Sequence, residues 1–425
     1  MNQNEDTTVN TEKYNGRLMN NVVRLPITVE SAAGSAVKDV EKQQRLLDFW
    51  GDEGVCALGY NTPEVLQAVF KFFGTGAPHQ LPDIYPNPTR WEAAELICQR
   101  TEMDRIFFSN SGTEANEAAI KIARKYWWDR GHEERRRILT MEGNFHGRTG
   151  LSLAAGDFRV SPYHRHGFGP IAAGFGVLDP RWREDELVLQ QVVTDGAEHE
   201  PKAPDWDTVA AVILAPVLGN NTVHTYPPAF WQELARIRKQ HSFLLIYDDV
   251  QAGSGRAGYH ATWQHPKIRV KPDIMTLAKG LAMGFPMSCM LASEDVAKAF
   301  TPGVHFNTFG GSPFVCHMAA EMFRWLDANL PMVRKRGEMI RTVLGGYDWV
   351  ASVDGFGMLN AFTPDFHTYG YDGFQFIHRA REVGLLFATH RQFGPIRFTP
   401  PLTIPENDLA WALAAVDAVH KGLAL

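Results

Sequence analysis

The sequence predicts an α/β fold, in which a mostly parallel sheet is covered by helices on both faces and joined to a smaller α+β unit. Three observations carry this. Short apolar runs such as "VAAVIL" and "FLLIY" lack the polar alternation of a half-exposed strand, so both faces of their sheet are buried. Segments of helical periodicity separate these runs, the order that parallel strands require. Near residue 315 the texture changes to one long helical stretch followed by short runs such as "GMLNAF". We therefore expect a large domain over 59–315, and an N-terminal arm and small domain built from 1–58 and 316–425.

The elements run in order along the chain. Residues 1 to about 20 read as a flexible or partner-contacting arm. "TRWEAAELICQR" opens with Thr89 and carries Glu92 three residues on, which predicts a helix capped by Thr89. "RIFFSNSG" is a strand closed by turn residues. In "TEANEAAIKIARKYW", Ala115, Ala118, Ala119, Ile122, Ala123 and Tyr126 share one helical face. "VAAVIL" (Val209–Leu214), "FLLIY" and "DIMTLA" are strands. Between the first two, "PAFWQELARIRKQH" places Phe230, Trp231, Leu234 and Ile237 on one stripe. A long helix starts near Val315, and Asp408 to Leu423 forms the last.

Composition excludes several classes of function. The chain has 425 residues, 44% of them hydrophobic, and a net charge of −6, so no basic footprint for nucleic acid is present. "EERRR" at Glu133–Arg137 reads as a solvated turn. The four cysteines, Cys56, Cys98, Cys289 and Cys316, are too scattered for a zinc knuckle or a redox pair. Their sparse use suits a reducing compartment. The polar start "MNQNEDTTVNTEKYNGRL" holds no secretory core, and no apolar run is long enough for a bilayer. A cytoplasmic protein is expected, with no membrane partner. His164 and His166 stand two apart in "YHRHG", but no further ligand set accompanies them, and no metal is expected.

"LLIYDDVQAGSGRAG" (Leu244–Gly258) holds a G-x-G-x-x-G pattern. A dinucleotide loop needs those glycines directly after the strand and a helix directly after them. Here "DDVQA" intervenes, and Pro266 and Pro272 come soon after. The glycines instead let the chain turn sharply under something bulky.

Ligands of open α/β sheets bind at the carboxyl ends of the strands. Three such ends carry unusual chemistry. Ser111, Gly112 and Thr113 sit where a helix begins, and exposed amides there attract phosphate. Asp248 ends a buried strand, where a carboxylate needs a cation or strong donor. Lys279 comes after an apolar run, and burial makes a lysine nucleophilic. A lysine, an anion and a phosphate cup together are what pyridoxal phosphate requires.

The same residues carry a family resemblance. "SNSGTEANEAAIKIAR", "NFHGRT", "YDDVQAGSGRAG", "PDIMTLAKGLAMGFP", "HFNTFGGSP" and "IRFTPPL" succeed one another in the order found in class III (fold type I) pyridoxal-phosphate aminotransferases. The chain is most similar to the acetylornithine/ornithine group. The resemblance implies a fold type I large domain and a homodimer with shared active sites. It makes Lys279 the Schiff-base lysine and Asp248 the partner of the pyridine nitrogen. Phe145 and Val250 would sandwich the ring, with His146 beside them, and Gln251 would reach the phenolic oxygen. Ser111, Gly112 and Thr113 would hold the phosphate, and Thr308 would reach the phosphate of the neighbouring subunit. Arg148 and Arg397 would bind substrate carboxylates.

The implied activity is ping-pong transfer of an amino group from a small donor, often with a terminal amine, to a 2-oxo acid such as 2-oxoglutarate. Rival readings are a same-fold aminomutase or decarboxylase, an NAD-dependent dehydrogenase, and a non-catalytic binding protein. The chain departs from the family at Ala215, where relatives carry a glutamate that covers the second arginine. We expect Arg397 to stay available in its absence. Asp249 stands where glutamate is usual, and Tyr60, Thr62 and Ser312 are further departures.

Overall fold

The architecture is that of a computed structural model, which describes residues 18–19, 25–159, 162–183, 186–219, 223–389 and 391–422. Most of the expected N-terminal arm lies outside the described residues.

A nine-stranded sheet organises the molecule. Its strands are β1 (Arg105–Ser109), β2 (Arg137–Met141), β3 (Phe175–Arg183), β4 (Glu186–Thr194), β5 (Ala197–Lys202), β6 (Val209–Leu214), β7 (Leu244–Asp248), β8 (Ile274–Leu277) and β9 (Ser288–Ala292). They lie in the order β1-β9-β8-β7-β6-β2-β3-β4-β5. From β8 to β3 every pairing is parallel, whereas β9 and the hairpin partners β4 and β5 run antiparallel to their neighbours. Every residue of β6, β7, β8 and β9 is buried, as the unbroken apolar runs predict.

Helices cover both faces. Helix α1 (Pro88–Thr101) is capped by Asn87, whose side chain accepts from the Arg90 amide at 3.1 Å. This corrects the expectation that Thr89 is the cap. Pro88 fits the first helical turn because its missing N–H needs no partner there, so the helix starts before Thr89. Helix α2 (Gly112–Trp128) buries Ala115, Ala118, Ala119, Ile122 and Ala123, a stripe of small residues that lies against β8 and β9. Helix α3 (Pro228–His241) buries Phe230, Trp231, Leu234 and Ile237, each worth about 1.5–3 kcal/mol.

The long helix α4 (Pro313–Gly345) leads to a three-stranded sheet of Val350–Phe356, Leu359–Pro364 and Ile396–Phe398. The N-terminal strands Val29–Ala33, Ala36–Asp39 and Gln44–Asp48 form another sheet with Leu385–Leu386, and Leu385 pairs with Leu47. The turn after Asp48 is thereby held beside the sheet that carries Arg397. The last helix, α5 (Glu406–Lys421), buries Leu409, Ala412, Leu413, Val416 and Val419. Among the described residues no helix is long and apolar enough to cross a membrane.

Candidate active site

The segments leaving β1, β2, β6, β7 and β8 line one cavity of about 560 Å³, together with Glu53 and Arg397 from outside the large sheet. This is a common size for a small-molecule site.

Asp248, only 8% exposed, ends β7 in the wall of this cavity. His146 Nδ1 lies 2.7 Å from its Oδ2, and Asn116 Nδ2 donates to the same oxygen at 2.8 Å. A carboxylate only accepts, so Nδ1 carries the proton toward it. The other ring nitrogen of His146 lies 2.9 Å from the Thr140 hydroxyl. Thr276 donates to Asn116 Oδ1 at 2.9 Å, which turns the amide's N–H toward Asp248. The Val250 amide donates to Oδ1 at 3.2 Å. A buried anion is thus held at fixed position by donors from the loop after β2, from α2 and from its own loop, and Thr140 on β2 and Thr276 on β8 orient two of them. Asn116, Thr140 and Thr276 were not singled out in the sequence. Asn116 was recognisable as a polar residue four positions after Gly112, on the helical face that meets the sheet.

At the start of α2, Ser111 and Glu114 form a reciprocal capping box. Glu114 accepts from the amides of Asn110 and Ser111 at 2.8 and 2.9 Å. The amides of Gly112 and Thr113 belong to the first turn, where no carbonyl four residues back is available, so they point outward as anion donors. Gly112 is required sterically: a Cβ there would meet Val250 Cγ1 at 2.8 Å.

Lys279 lies just past β8 with φ of +48°, a conformation that costs a non-glycine residue free energy and recurs at functional sites. Burial pushes its amine down to about 8, against the opposing pull of Glu53 4.0 Å away. Near neutral pH a far larger fraction of such an amine is unprotonated than of an ordinary lysine, and that fraction can accept a proton or attack a carbonyl.

The cavity brings together Ser111, Gly112, Thr113, Phe145, His146, Arg148, Asp248, Val250, Gln251, Lys279 and Arg397. The Arg148 guanidinium stands 5.3 Å from the centre of the Phe145 ring. Thr308 does not join them. It is exposed outside the cavity, and its carbonyl accepts from Gln80 at 3.1 Å. The "GSGRAG" glycines also lie away from the cavity. A Cβ on Gly255 would strike Leu326 and one on Gly258 would strike Arg334, both on α4, so these glycines let the loop pass beneath that helix.

Arg397 corrects another expectation. It is paired with Glu53 and therefore does not stand open. Ala215 does line the cavity without a charge, and its amide donates to Asn144 at 2.6 Å. The carboxylate comes instead from the turn after Asp48, which sequence reasoning missed because 344 positions separate the partners.

The sequence profile of the Aminotransferase class-III family matches residues 18–419. The chain belongs to the class III aminotransferases. It is 32% identical to the acetylornithine aminotransferase of Nostoc sp. over 96% of this chain and 92% of the relative. It is 33% identical to the acetylornithine aminotransferase of Aquifex aeolicus over 94% and 98%. Among solved structures, the ornithine aminotransferase of Toxoplasma gondii superposes with a TM-score of 0.82 at 23% identity, covering 97% of this chain and 94% of that one. The acetylornithine aminotransferase of Elizabethkingia anophelis gives 0.74 at 23% identity, covering 97% and 98%. The fold is therefore that of the fold type I enzymes.

This class III aminotransferase is a pyridoxal-phosphate-dependent transaminase. The donor set fits the cofactor: a buried amine, a fixed buried anion and outward helix amides beside a glycine that leaves no room for a side chain. The dehydrogenase and binding-protein readings fall with this result.

Proposed function

We propose that this aminotransferase moves an amino group from an ornithine-type donor, ornithine or acetylornithine, to 2-oxoglutarate by a ping-pong mechanism. The single observation that carries the reading is Lys279, a largely buried amine whose pKa burial lowers to about 8, in the cavity that Asp248 also lines. The names of the full-length relatives support the donor class.

When bound, pyridoxal phosphate supplies an electron-withdrawing ring that takes up the electron pair left as a proton departs from the substrate carbon. The chain's residues do the rest. Lys279 would hold the cofactor, and its amine would carry the proton between substrate atoms. Asp248, oriented by His146 and Asn116, would pair its negative charge with the ring nitrogen. Ser111, Gly112 and Thr113 would hold the phosphate, Phe145 and Val250 would flank the ring, and Gln251 would reach its phenolic oxygen. Arg148 takes the substrate carboxylate, for which a guanidinium fork is suited.

The exposed position of Thr308 supports a homodimer in which it completes the partner's phosphate site. Exposed aromatic residues near it, Phe306 and Phe309 at 61% and 65%, suit such an interface. We further propose the division into 59–315 and 1–58 with 316–425, and a cytoplasmic location, which the free cysteines favour.

The test is to incubate purified enzyme with each donor and 2-oxoglutarate and to measure glutamate formed against acceptor consumed. One-to-one conversion with an ornithine-type donor is expected. Product formed without acceptor would instead indicate an aminomutase or decarboxylase.

A further inference from the structure

The cavity contains a charge arrangement that the reaction does not require. Arg397 is 4% exposed between Ile396 and Phe398, which are fully buried. A guanidinium in that setting needs a counter-ion. Glu53 supplies it from a separate part of the chain, and the same carboxylate accepts from Gln251 Nε2 at 3.3 Å and stands 4.0 Å from Lys279 Nζ. Three cationic or donor groups of the cavity thus converge on one carboxylate.

The turn that presents Glu53 is unusual. Gly51, Asp52, Glu53 and Gly54 all have positive φ, at 57°, 51°, 60° and 87°. For Asp52 and Glu53 this conformation is unfavourable by about 1–2 kcal/mol each. The base of the turn is pinned, because the Asp48 carboxylate accepts from the amides of Trp50 and Gly51 at 2.8 and 2.9 Å. Its tip is less enclosed, with 28% of the Glu53 side chain exposed. Strain of this kind clusters at ligand clamps and switch regions, and here it holds a partly exposed carboxylate on a buried arginine.

We infer that Glu53 is a specificity-determining gate on Arg397, occupying the place of a substrate's distal carboxylate and yielding it only to a dicarboxylate. This deepens the functional reading above and rests on it. The exchange conserves ion pairs. When a dicarboxylate enters, its far carboxylate takes the guanidinium, and Glu53 moves out toward water on the exposed side of its turn. A ligand with a neutral far end offers Arg397 nothing in return, so Glu53 stays and the wall remains uncharged. One cavity thereby accepts a dicarboxylate such as 2-oxoglutarate and, in the alternate half-reaction, a donor without a distal carboxylate.

Calorimetric titration of the cofactor-loaded enzyme with glutarate and with its monoamide, which keeps the shape but lacks the second charge, tests this. In Glu53→Gln, glutarate should bind about tenfold more tightly, because its far carboxylate no longer competes with Glu53 for the guanidinium. The monoamide should change less than about twofold on the same ground. Glu53→Asn should reproduce the effect, since asparagine tolerates the left-handed turn. Adding Arg397→Gln to either variant should abolish the gain. Glutarate affinity that is unchanged or weaker in both single variants, with the cofactor's visible band intact, would overturn the gate. A wild-type protein that takes up no cofactor would overturn the underlying functional reading, and the gate with it.

Discussion

Replacing Lys279 by methionine should stabilise the cofactor-free protein, and the gain should depend on pH. Burial lowers the lysine from its ordinary value of 10.5 to about 8. Between those values the unfolded chain binds a proton that the native chain does not. Stability therefore drops as pH falls through that window, and the full penalty applies below about 8. At about 1.36 kcal/mol per pH unit, the ceiling is about 3 kcal/mol. A quarter of the side chain is exposed and water screens it, so we take about 1–2 kcal/mol. Methionine is unbranched and of similar length, so it fills the same space without a charge. For a protein of this size the gain corresponds to a rise of about 1–2 °C in Tm. The assay is thermal unfolding of the cofactor-free proteins, followed by circular dichroism from pH 7 to about 10.5. The variant should melt higher at pH 7, and the difference should close as pH rises toward 10.5. A difference independent of pH, or one that widens with rising pH, would refute the reasoning.

Other consequences can be checked independently. Gly112→Ala places a methyl group 2.8 Å from Val250 Cγ1, so cofactor affinity should fall by about tenfold or more, read by titration of the visible band. Asp248→Asn should keep the cofactor bound but slow turnover by about a hundredfold, because the charge opposite the ring nitrogen is gone; undiminished turnover would remove Asp248 from that role. Burial raises Asp249 from 3.8 to about 7, and its Oδ1 has no hydrogen-bond partner among the described residues while Oδ2 accepts from the Thr262 amide at 2.8 Å. The unfolded chain loses this proton first, so the carboxyl weakens the fold increasingly as pH rises from about 4 to 7. Asp249→Asn keeps an acceptor for Thr262 and should melt above the parent at pH 8 but not at pH 4.

Much of this was visible in the sequence because local pattern and tertiary role coincided. The strands ending at Leu214, Asp248 and Leu277 are buried on both faces and lack any polar alternation. A charged residue at the end of such a run has no place in its pattern, so Asp248 and Lys279 stand out against their neighbours. The cap of α1 was misread because Thr89 and Glu92 imitate a capping box, whereas Asn87 and Pro88 satisfy the helix start two residues earlier. The Glu53–Arg397 pair was hidden for a different reason. "GDEG" signals a tight turn but not its handedness or direction, and its partner belongs to a sheet formed by the far end of the chain. Absence of a charge at Ala215 was legible; its replacement from another element was not.

The central claim is that Lys279 is the residue through which the cofactor acts. Borohydride reduction of cofactor-loaded enzyme, with subsequent proteolysis and mass spectrometry, locates the attachment directly. The account predicts that the added mass resides on the peptide containing Lys279, and that prior addition of an amino donor abolishes it. Attachment to a different lysine, or none in protein that retains full activity, would contradict it.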